Sequence, residues 1–128
     1  MKQFNTFLLL SFFSISLFAC TLQIKEPSDV VQEYLQALVD KDVNSIAALV
    51  CSDWEEKALL EVDSLLSVDS RLDDIFCTTN ELKGEQATVI CQGKILLTYK
   101  DEIQEIDLSR RIYFTQFVKN NWRVCGYQ

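Results

Sequence analysis

The sequence predicts an α+β domain in which three helices precede a four-stranded antiparallel sheet. Up to about residue 68 the apolar side chains recur with the helical period of about 3.6 residues, and from Arg71 onward they alternate with a period of two. Helices that come before strands along a chain favour packing of the helices on one face of an antiparallel sheet. The chain is long enough for one hydrophobic core and too short for a second.

The first two helices follow a short polar segment. Ser28 or Asp29 can cap free backbone amides, and Asp29 with Gln32 predicts a capping box at the start of the first helix. Charged residues at 40–42 are expected to end or bend this helix, and a shorter apolar helix is expected over 43–50. The buried stripe of the first helix is predicted to contain Val31, Tyr34, Leu35, Leu38 and Val39.

The third helix is expected to begin at Ser52 and to run to about Val68. Ser52 and Glu55 have the spacing of a second capping box. Cys51 lies directly before it, where a disulfide would join the helices to whatever lies opposite. The buried stripe of this helix is predicted to contain Trp54, Ala58, Val62, Leu65 and Leu66.

Four strands are expected after the helices. In the first strand, the side chains around Ile75 to Thr79 are expected to alternate between the two faces of the sheet. The second strand is expected over 87–99, the third over 103–118 and the last over 122–127. Short polar turns separate them. In the third strand Arg110 is the polar exception on a predicted face that it shares with Ile106, Leu108, Ile112 and Phe114.

Residues 1–19 have the pattern of a secretory signal peptide. Lys2 lies in a short polar start, and residues 7–18 form an apolar run. The run is shorter than the roughly 20 residues that span a hydrocarbon core, so we do not expect a permanent transmembrane helix.

The segment Leu17-Phe18-Ala19-Cys20 resembles the bacterial lipobox, whose cysteine is acylated on its sulfur and on its new amino terminus. Phe18 departs from the small or aliphatic residues usual at its position, and ordinary signal cleavage is the alternative. We therefore expect a signal peptide at 1–19, a lipidated tether at 20–27 and a single domain at 28–128.

The chain has five cysteines, of which one belongs to this motif and four lie in the domain. An even number in an exported domain favours two disulfides, and four cysteines allow three pairings. A hairpin centred near Gly84 places Cys77 opposite Cys91, whereas Cys91 and Cys125 would lie on strands that are not neighbours. The preferred pairs are Cys77 with Cys91 and Cys51 with Cys125. A shift of one residue in the hairpin register would move one of its cysteines to the other face.

Charge and composition exclude several classes of partner and site. The formal net charge is −7, which disfavours nucleic acid and anionic headgroups, so attachment to a membrane would depend on acyl chains. The chain has no histidine, which excludes Cys-His and Ser-His catalysis and most zinc sites. We expect neither a metal nor a cofactor.

Several segments resemble the nuclear transport factor 2-like (cystatin-like cone) superfamily, and more closely a group of small bacterial lipoproteins of that fold with unknown function. The segments that carry the likeness are Leu49 to Trp54, Glu61 to Ser64, Cys91 to Ile95, Tyr99 with Asp101 and Glu102, and Trp122 to Tyr127. The resemblance covers roughly residues 28–128. It implies a curved sheet that wraps the first helix and leaves a mouth at one end.

Enzymes of this superfamily, such as ketosteroid isomerases and dehydratases, use an Asp base with a Tyr donor or an Asp-His pair inside the cone. The absence of histidine excludes the pair, whereas an Asp with a Tyr remains open without an assignable residue. If the cone holds a ligand, we expect Arg110 to bind an anion there. The residues expected to line the same space are Tyr34, Trp54, Tyr99 and Trp122. In the alternative, the arginine pairs with a carboxylate or lies at the rim, and the aromatic residues belong to the core.

The sequence therefore favours an exported domain, anchored by lipid to the outer face of the cytoplasmic membrane or within the cell envelope. We expect it to bind an unidentified small molecule or envelope protein without catalysing a reaction. One alternative is a small isomerase, dehydratase or hydrolase that works in the cone with Asp and Tyr. Another is an assembly module that forms a homodimer through the outer face of the sheet.

Overall fold

The computed structural model describes Cys20 and residues 23–128 of the 128-residue chain. The predicted signal peptide lies outside the described residues, whereas Cys20 is described and exposed. Three helices come first, namely α1 (Pro27–Val39), α2 (Val43–Leu49) and α3 (Ser52–Leu65). Within the described residues, no helix combines the length and the apolar character needed to cross a membrane.

The strands form one antiparallel sheet around a long second strand. β1 (Asp69–Lys83) pairs with one edge of β2 (Gln86–Tyr99). β3 (Glu102–Asp107) and β4 (Ile112–Val118) pair in turn with the other edge of β2, and β5 (Asn121–Tyr127) pairs with β4. The predicted fold class is confirmed: three helices pack on a curled antiparallel sheet. Because β3 and β4 pair with the same edge of β2, the sheet is four strands wide.

The predicted strand over 103–118 is interrupted, which corrects the predicted faces. A 3-10 turn at Leu108–Arg110 separates β3 from β4 and breaks the alternation of side chains. Leu108 and Tyr113 are both fully buried, although an unbroken strand would place them on opposite faces. Arg110 does not share a buried face: its side chain is 88% exposed, and its Nε lies 4.0 Å from Oδ2 of Asp107.

The first helix begins one residue before the predicted start of the domain. Pro27 is its first residue. Proline suits this position because a backbone N–H there would have no hydrogen-bond acceptor within the helix. The capping box consists of Glu26 and Asp29 instead of the predicted Asp29 and Gln32. The end of the predicted tether therefore already belongs to α1.

The junction between α2 and α3 joins the helices to the edge of the sheet. The Cys51 N–H donates to the Val124 carbonyl at 2.8 Å, and Val50 forms a parallel bridge with Val124. Cys51 is the N-cap of α3, so Ser52 is already helical and its predicted capping box with Glu55 does not form.

Two disulfides cross-link the fold, Cys51–Cys125 and Cys77–Cys91, and these are the pairs preferred from the sequence. Cys77 lies directly opposite Cys91 in the register of β1 and β2, and both residues are buried. The Cys51–Cys125 bond joins the helix junction to β5. Two disulfides are consistent with an oxidising, extracytoplasmic location.

The core fills the space between the helices and the inner face of the sheet. Its fully buried members come from all three helices and from β2, β4 and β5, and include Tyr34, Leu35, Ile46, Val62, Val89, Tyr113 and Val124. A bulge between Asp73 and Phe76 lies opposite Gly93 and bends the two longest strands. The bend brings the far ends of the sheet around the helices.

Candidate functional site

A cluster of polar and aromatic side chains lies where α1 and α3 meet β4 and β5. We call it the tyrosine–glutamate cluster, and its members are Tyr34, Trp54, Glu61, Arg111, Tyr113 and Tyr127. Tyr34 and Tyr113 are fully buried, and the other four are half-buried. The cluster therefore reaches from the core to the surface.

Glu61 joins three elements through its carboxylate. It follows Trp54 by seven residues and Ala58 by three, a spacing that places all three on the inner face of α3. The carboxylate accepts a hydrogen bond from the Tyr34 hydroxyl at 2.9 Å and another from the Tyr127 hydroxyl. One side chain thus connects α1, α3 and β5.

Aromatic rings pack around this carboxylate. The Tyr113 ring centroid lies 6.5 Å from that of Tyr34 and 5.4 Å from that of Tyr127, and the Trp54 centroid lies 5.7 Å from that of Tyr127. Trp54 can lie against β5 because Gly126 has no side chain, and a Cβ there would be 3.3 Å from the indole. The Arg111 guanidinium carbon lies 4.2 Å from the Tyr127 centroid, within the range of a cation–π contact.

The environment keeps the tyrosines protonated. Burial, followed by the charge of Glu61, raises the pKa of Tyr34 well above its usual range. Burial and the hydrogen bond to Glu61 raise the pKa of Tyr127 to about 12, and burial also raises the pKa of Tyr113. Both hydroxyls that contact Glu61 therefore act as donors at any ordinary pH.

Two buried donors of the cluster, Trp54 Nε1 and the Tyr113 hydroxyl, have no hydrogen-bond partner among the described residues. A carboxylate surrounded by neutral donors has the composition of a general acid–base site. However, Glu61 already accepts from two tyrosines, and rings pack around it. Four surface cavities in the described part of the chain are each lined by residues outside this cluster.

Only two of the five predicted pocket residues meet in the interior, namely Tyr34 and Trp54. Trp122 packs on Phe117 with ring centroids 5.4 Å apart, at the start of β5. Tyr99, at the end of β2, is 52% exposed and lies outside the cone. The expectation that Tyr99 shares an interior pocket is therefore wrong.

The cation of the cluster is Arg111, whereas Arg110 was expected from the sequence. The 3-10 turn at Leu108–Arg110 changes which of the two adjacent arginines faces the interior. Glu61 was missed, although one signal was present in the sequence: it is a carboxylate on the apolar stripe of the third helix. Tyr113 was missed because the predicted alternation placed it on the other face.

A second candidate site is a groove on the outer face of the sheet, with a volume of 460 Å³. We call it the outer groove, and its lining residues are Glu81, Lys83, Gln86, Ala87, Thr88, Phe114, Thr115, Gln116 and Cys125. Phe114 is 38% exposed and pairs directly with Thr88, so the two side chains share a face. The exposed residues Ile90 and Phe76 continue this face beyond the groove.

Replacing Glu61 with leucine is expected to lower the free energy of unfolding by about 3 kcal/mol, because the buried Tyr34 hydroxyl loses its acceptor. Glu61→Gln keeps an acceptor oxygen and should cost less, about 1 kcal/mol. Urea unfolding followed by tryptophan fluorescence measures both. Adding Tyr34→Phe to Glu61→Leu removes the orphaned donor and should recover part of the loss. Equal stability of Glu61→Leu and the wild type would contradict the structural role of this carboxylate.

No protein-family model matches the chain, and no curated protein matches it. Several solved structures are similar. An NTF2-like protein with a cystatin-like fold from Novosphingobium aromaticivorans is 12% identical with a TM-score of 0.54, over 78% of this chain and 75% of that one. A protein of unknown function with a cystatin-like fold from Nostoc punctiforme is 11% identical with a TM-score of 0.52, over 78% and 84%.

A third similar structure is a protein of the NTF2-like family from Streptomyces avermitilis, provisionally named a dehydratase. It is 12% identical with a TM-score of 0.51, over 77% of this chain and 87% of that one. At such identities a structural likeness establishes the fold alone. The order of helices and strands, the bent sheet and these three structures agree: the chain has the NTF2-like, or cystatin-like, cone fold.

Proposed function

We propose that the chain is an exported, lipid-anchored domain that binds a small molecule or an envelope protein and catalyses no reaction. The observation that carries this proposal is the packing around Glu61. Two tyrosine hydroxyls donate hydrogen bonds to its carboxylate, and the rings of Tyr34, Tyr113, Tyr127 and Trp54 pack around it. A cone interior packed in this way supports a structural role for the cluster.

The outer groove supports the binding role. It combines one exposed aromatic residue, Phe114, with amide and hydroxyl groups and with one charge of each sign, Glu81 and Lys83. An apolar contact surrounded by a few polar groups is the usual composition of a binding site. Its 460 Å³ lies within the range of small-molecule sites.

Lipid attachment is supported by the lipobox-like segment and by the position of Cys20. This cysteine is exposed, and residues 21–26 alone separate it from α1. The four other cysteines form the two disulfides. In the described part of the chain, Cys20 is therefore the thiol available for acylation.

The binding role is tested with a panel of metabolites and with pull-down from envelope extract. Phe114→Arg places a charge in the outer groove, and we expect it to weaken binding at least about tenfold, or 1.4 kcal/mol. Ile103→Arg is the matched control, because Ile103 is an exposed apolar residue on β3, outside the groove. Binding that is unchanged by Phe114→Arg would contradict the proposal. So would enzymatic turnover of a compound, if that turnover required Glu61.

The exposed apolar residues of the outer face favour a second candidate, assembly into a homodimer. Phe76, Ile90 and Phe114 are 63%, 39% and 38% exposed, and lie on the same face. Light scattering of the purified domain distinguishes the candidates. A dimer that Phe114→Arg converts to a monomer would favour the assembly module.

A further inference from the structure

We propose that the Cys51–Cys125 disulfide is a thiol-exchange site, at which a thiol compound entering the outer groove becomes linked to Cys125. The proposal depends neither on the lipid anchor nor on the identity of the ligand or partner proposed above. It assigns a chemical reactivity to one of the two disulfides and an inert, structural role to the other.

The two disulfides differ in their access to solvent. Cys77 and Cys91 are 6% and 1% exposed and belong to the hydrophobic core. Cys51 and Cys125 are both half-buried, and each lines a surface cavity. Since exchange requires a thiolate to reach a sulfur atom, the second bond is the accessible one.

The two cysteines of the accessible bond line different cavities. Cys125 lines the outer groove, whereas Cys51 lines a separate cavity of 330 Å³. Thiol–disulfide exchange requires a nucleophile at one sulfur while the other departs. A thiol in the outer groove meets Cys125, with Cys51 as the leaving group.

The surroundings of Cys51 favour its departure as a thiolate. It is the N-cap of α3, a helix of 14 residues whose free N–H groups and dipole stabilise an anion. The charged residues that line its cavity are Lys119, Arg123 and Asp53, two cations and one carboxylate. Arg123 is held in place by hydrogen bonds to the Ala48 and Val50 carbonyls, at 3.1 and 3.4 Å.

In the exchange step, the thiolate sulfur of the incoming compound forms a bond to Cys125 Sγ. The Cys125–Cys51 bond breaks, and its electron pair leaves with Cys51 Sγ as a thiolate. The product is a mixed disulfide between Cys125 and the compound. The Cys51 thiolate can then attack Cys125 Sγ and expel the compound as a thiolate, which restores the original bond without any net oxidation or reduction.

Reduced glutathione is the probe for this inference. The oxidised protein, purified after export, is incubated with glutathione, quenched with acid, alkylated and mapped without reduction. We expect glutathione on Cys125, alkylation of Cys51 and an intact Cys77–Cys91 bond, with Cys51–Cys125 opening at least about ten times as fast as Cys77–Cys91. Simultaneous opening of both bonds, opening only in denaturant, or glutathione on Cys51 would overturn the assignment.

A variant tests the leaving group separately. Cys125→Ala frees the Cys51 thiol, and its alkylation rate with iodoacetamide is followed against pH, with circular dichroism as the check on folding. We expect the pH dependence of this rate to give a pKa below that of free cysteine, which is about 8.5. Titration at or above 8.5 would show that α3 and Arg123 do not activate Cys51 and would overturn the proposed direction of attack.

Discussion

Replacing Gly93 with alanine is expected to lower the free energy of unfolding by at least about 3 kcal/mol. Gly93 has a φ of +100°, and a Cβ there would lie 2.4 Å from the Asp74 carbonyl oxygen and 2.6 Å from that of Asp73. Both contacts are with backbone, so no side-chain rotation relieves them. The bulge opposite Gly93 would have to open, and the sheet would lose its bend. Urea unfolding, or recovery of folded protein after export, measures the effect.

Gly84→Ala is the matched control for this variant. Gly84 also has a positive φ, of +59°, but a Cβ there would meet nothing within 4 Å. We expect a cost of about 1 kcal/mol from the backbone conformation alone. If both variants lost the same stability, the close approach of β1 to β2 at Gly93 would not be what bends the sheet.

The fold class could be predicted from the sequence because local periodicity was sufficient. The helical stripe through Tyr34 and Leu35 and the alternation around Cys77 each depend only on neighbouring residues. The pairing of Cys77 with Cys91 was predicted from a hairpin centred near Gly84. In the structure Lys83 pairs with Gln86 at the turn, and a register shift between Thr79 and Glu81 brings Cys77 opposite Cys91. The bulge opposite Gly93 could not be predicted, because it arises between strands and leaves no periodic signal.

The candidate site was predicted poorly for a similar reason. Because of a single 3-10 turn, Arg111 instead of Arg110 lies in the interior cluster. Residues 108–110 contain no glycine or proline from which a break in the strand could be predicted. Glu61 was accessible to sequence reasoning as a carboxylate on an apolar stripe. Its partners Tyr34 and Tyr127 were not, because they come from opposite ends of the domain and meet only in the folded chain.

Replacing Cys20 with serine is expected to remove essentially all of the lipid-dependent attachment to the membrane. Serine has a hydroxyl in place of the thiol that would carry the acyl chains. The chain, with a formal net charge of −7, has little electrostatic affinity for anionic lipids. Thr21→Ala is the matched control, since it changes the adjacent residue and leaves the cysteine in place. Both variants should retain the two disulfides, because both substitutions leave Cys51, Cys77, Cys91 and Cys125 unchanged.

The most direct test of the proposed lipid-anchored domain is mass spectrometry of the membrane fraction, with the wild type and Cys20→Ser compared side by side. We expect the wild-type chain to be recovered from membranes with Cys20 as its acylated first residue, and the Cys20→Ser chain to be absent from that processed form. Recovery of a wild-type chain with an unmodified Cys20 thiol, or of equal amounts of both processed chains in the membrane, would contradict it.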